Sequence, residues 1–440
     1  MQQKTVKIGL VGFGTVGTGV AKIILEDSAL IEAKTGLRLE LAAVVDMDTK
    51  SKRNVNLPNG ILTSDLNRLL EDKAINIGVE LIGGTGPAKD IQLKMLAAGK
   101  DVVTANKALL AEQGSELYQA ARKNNRCIAF EASCCGGVPI ISGLRSGLAA
   151  NRIDAMYGIV NGTCNYILSN MTAKGEDFDT ALKQAQAKGF AEADPALDIS
   201  GGDSAHKLAI LASIAFGYEI QLEDIYVEGI KEVSKDDLRF GCEMGYVLKL
   251  LAIAQRENNG KVSLRVHPCF VHKEHPLARV SGSFNAVSIL GSSVGQLMYY
   301  GRGAGMMPTA SAVVSDIIDV ALGNSAISFK HMNLKPKNEV SGLIEKIDNI
   351  VSRFYIRIMC KDIPGVIAKW SKVLADHNIS ISGALQHEGT GPDNTVPIVI
   401  VTHPTQQKNI DGAMLDMAKL DAIGGKPVCI RIVDIPEDSD

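Results

Sequence analysis

TVKIGLVGFGTVGTGVAKIILE, residues 5–26, runs from a short apolar strand through a glycine turn into a helix. Gly12, Gly14 and Gly17 fit G-x-G-x-x-G, with Phe13, Thr15 and Val16 completing the loop. The first glycine permits the tight turn, the second lets a pyrophosphate approach the backbone, and the third lets the helix pack close on its strand. A strand before and a helix after is the context this motif requires. LRLELAAVVD (37–46) reads as the second strand and ends on Asp46, farther from the glycines than is usual. INIGVELIG (75–83), KDVVTANK (100–107) and RCIAFEAS (126–133) read as three further strands, with helical segments between them. This alternation predicts a doubly wound parallel sheet that binds a dinucleotide.

Working outward, the alternation breaks near residue 134. Strand candidates RIDAMYGIV, DIYVEGI and SLRVHPCFV are spaced by long helices, which predicts a mixed α/β domain over 134–303. Residues 283–323 then give a strand pair, a glycine-rich turn and a long apolar helix that needs a large surface to bury it, so 304–335 is expected to return to the first domain (1–133). The polar stretch 336–350 reads as a linker. In the last segment, 351–440, apolar residues alternate at Phe354, Ile356, Ile358 and Cys360, as in a half-buried strand. Pro364-Gly365 opens a helix with Val366, Ile367, Trp370, Val373 and Leu374 on one face. Two strands around the turn GTGPDN (389–394), a helix and a final strand complete βαββαβ, a ferredoxin-like module expected to fold by itself.

The totals narrow the function. The chain has 440 residues, 46% hydrophobic and 22% charged, with net charge −3 and no basic block, so neither nucleic acid nor a membrane is an expected partner. The N-terminus lacks a signal peptide's apolar core, which predicts a cytoplasmic protein. Eight cysteines without metal-finger spacing read as buried thiols in a reducing compartment.

The chemistry concentrates in AEADPALDISGGDSAHKLAILASIAF (191–216). Leu208, Ile210, Leu211, Ile214 and Phe216 mark a buried helix, yet Lys207 sits inside it and Glu192, Asp194, Asp198 and Asp203 precede it. Asp203 and Lys207 are four apart and share a helix face. Burial is expected to lower the lysine's pKa, with Asp203 partly opposing, which would suit proton exchange with an alkoxide. Glu192 and Asp198, in a loop turned by Gly201-Gly202, could hold a substrate ammonium. Lys107 ends a strand at the edge where open α/β sheets bind ligands.

VGFGTVG, DVVTANKALLA, FEASCCGGVPII, NGTCNYIL, GFAEADPALDISGGDSAHKLAILA, GRGAGMMPTASAVVSD, DIPGVIAKW and ISISGALQHE occur in this order. With them the whole chain resembles the homoserine dehydrogenases of bacterial type that carry a C-terminal ACT domain. The resemblance implies a Rossmann-type domain, a catalytic and dimerisation domain, and an ACT regulatory domain. It implies reversible NAD(P)-dependent reduction of L-aspartate 4-semialdehyde to L-homoserine, toward threonine and methionine. By resemblance, Lys207 is the proton donor and Lys107 the second active-site lysine. Glu192, Asp198, Asp203, Gly162 and Thr163 would bind substrate; Thr104, Arg53 and Gly303 would join the glycine loop and Asp46 around the cofactor. The family's monovalent cation, Na⁺ or K⁺, would take Glu131 and the carbonyls of Cys134, Gly136 and Val138. An amino-acid effector, threonine by resemblance, would bind at Asp362, Pro364 and Gly365. The assembly would be a homodimer or homotetramer.

Three points stay open on the sequence. Asp46 favours NAD, whereas Lys50, Lys52 and Arg53 could receive the 2′-phosphate of NADP. Cys134-Cys135 depart from the family's small apolar residues and allow an acylating semialdehyde dehydrogenase with a thiol nucleophile as an alternative. A catalytically silent amino-acid sensor is the other alternative, disfavoured by the two intact lysines.

Overall fold

The computed structural model describes residues 4–336, 339, 342–387 and 395–436, so the expected GTGPDN turn and part of the expected linker lie outside the described residues. The chain divides into two compact units, Met1–Gly162 with Asp203–Ile225 and Phe284–Ser341, and Thr163–Gly202 with Tyr226–Ser283 and Gly342–Asp440.

The first unit is built on a parallel sheet of β1 (Lys4–Val11), β2 (Leu37–Val45), β3 (Leu62–Thr63), β4 (Ile75–Glu80), β5 (Asp101–Thr104) and β6 (Ile128–Ala129). Their order is β3-β2-β1-β4-β5-β6, the doubly wound arrangement that the alternation predicts. Ile8, Leu10, Val79, Val102 and Val103 are all fully buried, as parallel strands covered by helices on both faces require. The helix Met306–Leu322 lies against the helix Thr15–Glu26 so closely that a Cβ on Gly19 would sit 2.9 Å from that of Ala310. This covers part of the long apolar face for which the sequence demands a large surface. The unit also holds an antiparallel ribbon in which β11 (Phe284–Gly291) pairs with both β7 (Ile153–Ile159) and β12 (Gly295–Arg302).

In the second unit, β9 (Tyr246–Arg256) and β10 (Val262–His272) form a long antiparallel pair, and the two-residue β8 (Tyr226–Val227) pairs with β10 in parallel. The C-terminal module runs β13 (Val351–Lys361), helix Val366–Asp376, β14 (Ile381–Gln386), β15 (Thr395–Thr402), helix Gln407–Met417 and β17 (Ile423–Ile432), with the two-residue β16 (Thr405–Gln406) before its second helix. Phe354, Ile356, Ile358, Trp370, Leu374, Ile400, Ile410 and Met417 form its core. The alternation in 354–360 therefore points inward as predicted.

The module is not the separate body that its pattern suggests. β17 continues the sheet onto β10 through Cys269↔Arg431 and Phe270↔Ile432. The described C-terminal part of the segment read as a linker is tied down too, since Val262 N–H donates to Leu343 C=O at 2.7 Å. Deeper still, Asp237 is fully buried and accepts from Tyr355 Oη at 3.0 Å, Arg357 Nε at 2.6 Å and Arg357 Nη2 at 3.1 Å. A sheet edge that finds a partner and a buried charge that finds its counter-ion both favour docking. No single helix among the described residues is long and apolar enough to cross a membrane.

Candidate active site

The glycine loop has the shape a dinucleotide needs. Gly12 has φ +95, and a Cβ there would lie 2.7 Å from the Leu81 carbonyl carbon; one on Gly17 would lie 2.1 Å from Gly12 O. Beside Gly14 the space is open. The helix Thr15–Glu26 starts with no side-chain cap and no acid in its first turn, so its N-terminal amides suit a phosphate. Asp46 Oδ2 accepts from Phe13 N–H at 2.6 Å. Arg53 closes the same corner, donating to Phe13 O at 3.1 Å, with its guanidinium 3.8 Å from Asp46 and over the Phe13 ring at 5.2 Å. Asp48 is drawn down to about 2 by hydrogen bonds from Ser51 and Lys50, and its carboxylate stands 3.5 Å from Arg53. Asp46 and Arg53 are thus brought together, as a binder of either ribose form would require.

Two other expected cofactor residues act differently from a direct contact. Thr104 is fully buried, and its hydroxyl donates to Glu80 at 2.9 Å while accepting from Asn106 N–H at 3.0 Å. Its hydroxyl is committed to the interior, because the strand end turns inward before the Asn106 cap. Gly303 packs where a Cβ would meet the Asn285 amide at 2.0 Å, beside Gly136.

The lysines converge on one carboxylate. Lys207, 8% exposed, donates to Asp203 Oδ2 at 2.8 Å and to Val160 C=O at 2.6 Å. Asn161 Nδ2 donates to the same Oδ2 at 2.7 Å, and the other oxygen of Asp203, Oδ1, stands 3.0 Å from Lys107 Nζ. Lys107 is the more open of the two, its side chain 36% exposed against 10% for Lys207. Lys107 begins the helix Lys107–Lys123, whose cap Asn106 accepts from Leu109 N–H at 3.2 Å.

The protonation differs from expectation. Burial does push the Lys207 ammonium toward neutrality, yet the adjoining Asp203 charge and hydrogen bond outweigh it, and the pKa is raised. Asp203 is correspondingly held well below the usual carboxylate range: burial opposes its charge, but Lys207, Lys107 and Asn161 prevail. Lys207 is therefore a held ammonium at neutral pH, with two of its three donors occupied and one available to a substrate oxygen.

The thiols fail as nucleophiles. Cys134 and Cys135 are both buried, which pushes the first well up and the second to about 11, although Lys207 pulls Cys135 back. A thiol kept protonated is inert, and the acylating alternative loses its physical basis.

Glu131 is 8% exposed, and its oxygens accept from Ile141 N–H at 2.8 Å and Ser142 N–H at 2.7 Å. Burial still raises its pKa, which a bound cation would reverse. Beside it opens a cavity of about 370 Å³ lined also by Gly136, Ser142, Asp316 and Asp319. The Val138 carbonyl already accepts from Ile140 N–H at 2.8 Å. Among the described residues no group of three or more His, Cys, Asp or Glu could hold a metal, so a cation here would depend on Glu131 and main-chain oxygens.

The second unit holds the other expected substrate residues apart from Gly162. Glu192 is exposed, and its main-chain carbonyl accepts from Gln186 Nε2 at 3.1 Å. Asp198 lies in the short helix Ala196–Ile199. Thr163, in the helix Gly162–Lys174, spends its hydroxyl on Phe190 C=O at 2.6 Å, leaving its backbone amide as the group a carboxylate could meet. In the C-terminal module, Asp362, Pro364 and Gly365 form an exposed turn, with Gly365 at φ +88 capping the helix Val366–Asp376.

Sequence reading missed Glu80, Asn161, Asn285 and Asp316. Asp316 carried a signal, a lone acid in the apolar run VVSDII; it is buried, pushed well up by that burial, and accepts from Glu131 N–H at 2.8 Å. Glu80 likewise stands as a lone acid in the apolar run INIGVELIG, whereas Asn161 and Asn285 had no signal, since their partners are remote in sequence.

Family comparisons agree along the whole length. The sequence model described as "Homoserine dehydrogenase" matches residues 139–318, its "NAD binding domain" matches 12–131, and "ACT domain" matches 354–421. The homoserine dehydrogenase of Neisseria gonorrhoeae is 41% identical over 98% of this chain and 99% of its own. That of Synechocystis is 42% identical over 98% and 100%. The crystal structure of the Thiobacillus denitrificans homoserine dehydrogenase superposes with a TM-score of 0.88 at 39% identity, covering 98% of this chain and 99% of that one. Models of one family match the nucleotide-binding and middle regions and an ACT model the C-terminal module, full-length relatives stand near 40% identity, and the chain belongs to the homoserine dehydrogenase family of NAD(P)-dependent oxidoreductases.

Proposed function

We propose that this chain reversibly reduces L-aspartate 4-semialdehyde to L-homoserine, as a cytoplasmic homodimer or homotetramer serving threonine and methionine synthesis. The observation that carries this reading is the single carboxylate of Asp203 holding Lys207 at 2.8 Å and Lys107 at 3.0 Å. When bound, the nicotinamide supplies or accepts a hydride at the carbinol carbon. Lys207 Nζ gives a proton to the oxygen that becomes the hydroxyl and takes it back in oxidation. Asp203 orients that ammonium and keeps it charged, and Lys107 adds positive charge where the oxygen becomes negative. Glu192 and Asp198 would receive the α-ammonium of the substrate, and the amides of Gly162 and Thr163 its carboxylate. Glu131, with the carbonyls of Cys134, Gly136 and Val138, would hold Na⁺ or K⁺, whose charge would compensate the buried carboxylate.

The Asp46–Phe13 hydrogen bond supports NAD, and the adjoining Arg53 supports use of NADP as well. The exposed turn Asp362–Gly365 supports amino-acid control, with threonine as the effector. The test is a spectrophotometric assay of homoserine oxidation with NAD and NADP separately, each with and without threonine. Turnover with both, faster with NAD and reduced by threonine, is the expected result. Absence of turnover with either cofactor would instead favour the silent-sensor reading.

A further inference from the structure

The fully buried Glu80, at the end of β4, takes no part in the reading above, and all its hydrogen-bond partners are donors. Its Oε1 accepts from the backbone N–H of Ile82 at 2.8 Å and of Gly83 at 3.1 Å. Its Oε2 accepts from Gln92 Nε2 at 2.8 Å and Thr104 Oγ1 at 2.9 Å. The two oxygens therefore serve different parts of the site.

The first oxygen holds the turn after β4. Gly83 and Gly84 stand at φ +75 and +74 with open space where a Cβ would be, so no packing at these two glycines fixes the turn. The same turn lies against the dinucleotide loop, since Leu81 N–H donates to Val11 C=O at 2.8 Å and the Leu81 carbonyl crowds Gly12. The second oxygen holds the end of β5. Thr104, fixed by Glu80, accepts from Asn106 N–H; Asn106 in turn donates to Gly84 C=O at 2.7 Å and caps the helix that begins with Lys107. The ring closes on itself through Gly84.

We propose that Glu80 is a positioning residue for the reaction, one buried carboxylate that sets both the turn 81–86 beside the cofactor loop and the start of the Lys107 helix. A buried carboxylate is costly to hold without such a set of donors, and core packing alone would be served by an apolar side chain. The inference rests on the role given to Lys107 above.

Glu80→Gln keeps the volume while turning an amide donor toward existing donors. Gln92 can adapt, because its Oε1 has no hydrogen-bond partner, so the variant should fold. In full-length enzyme oxidising homoserine with NAD, kcat should fall about tenfold and KM for NAD rise about fivefold. Combining Glu80→Gln with Gln92→Glu restores one carboxylate and one amide with their places exchanged. That double variant should recover both parameters to within about twofold of the parent, a coupling that simple loss of stability would not produce. Parent kinetics in folded Glu80→Gln, or an exchange no better than the single change, would overturn the proposal. A change confined to KM for NAD would overturn it too, because the Lys107 branch would then be idle. Lys107→Met measured in parallel marks the other failure: parent kcat there removes Lys107 from the chemistry whatever Glu80 does.

Discussion

Asp203 and Asp237 are both buried carboxylates, 4% and 0% exposed, and each gathers cationic partners. Asp203 holds two lysines, one of them with its side chain 36% open. Asp237 holds Arg357, with Tyr355 and Ser234 Oγ (2.6 Å) completing its shell, so every oxygen is spoken for. The choice of cation explains the difference. A lysine is a point charge with three independent donors and can keep one for a ligand; the planar guanidinium spends its fork on the carboxylate. The same physics therefore leaves a donor open in one unit and makes a staple in the other.

That contrast breaks most sharply at Lys207. Lys207→Ala should lower kcat by about 10²–10⁴ while KM for NAD changes little, because a proton-transfer group is lost and the nucleotide loop is untouched. A variant with near-parent kcat would put Asp203 in the same structural class as Asp237.

Asp237→Ala should do the reverse. It leaves Arg357 buried without its counter-ion, at a cost of about 3–5 kcal/mol, read as a lower midpoint in denaturant unfolding. The folded fraction should keep kcat within a few-fold of the parent. Loss of kcat at unchanged stability would mean that the C-terminal module reaches the chemistry through this pair.

A smaller effect sharpens the Lys207 assignment through pH. Because its folded pKa is raised, the stabilisation from its pairing is full below the unfolded value and is lost only as pH rises through the higher folded value. Asp203, depressed when folded, contributes above its unfolded value and loses that contribution as pH falls through the lower folded one. Stability from the pair should thus be flat across neutral pH. Homoserine oxidation needs the neutral amine, so kcat should climb about tenfold per pH unit through pH 7–9 without a plateau. A plateau near pH 8 would assign the proton to another group.

Much of this was written locally. Gly12, Gly14 and Gly17 with strand and helix around them determined a nucleotide-binding sheet, because a turn and two periodicities leave their trace within twenty or so residues. The alternation at 354–360 likewise determined the C-terminal module, and the i,i+4 spacing joined Asp203 to Lys207. Only the tertiary structure decided that Lys107 shares Asp203, that Thr104 faces Glu80 inside, and that the module is bound through β10 and Asp237. It also reversed the expected shift of Lys207. Contacts between residues remote in sequence have no period to read, and the balance between burial and an opposing charge depends on separations of about 3 Å that only the folded chain sets.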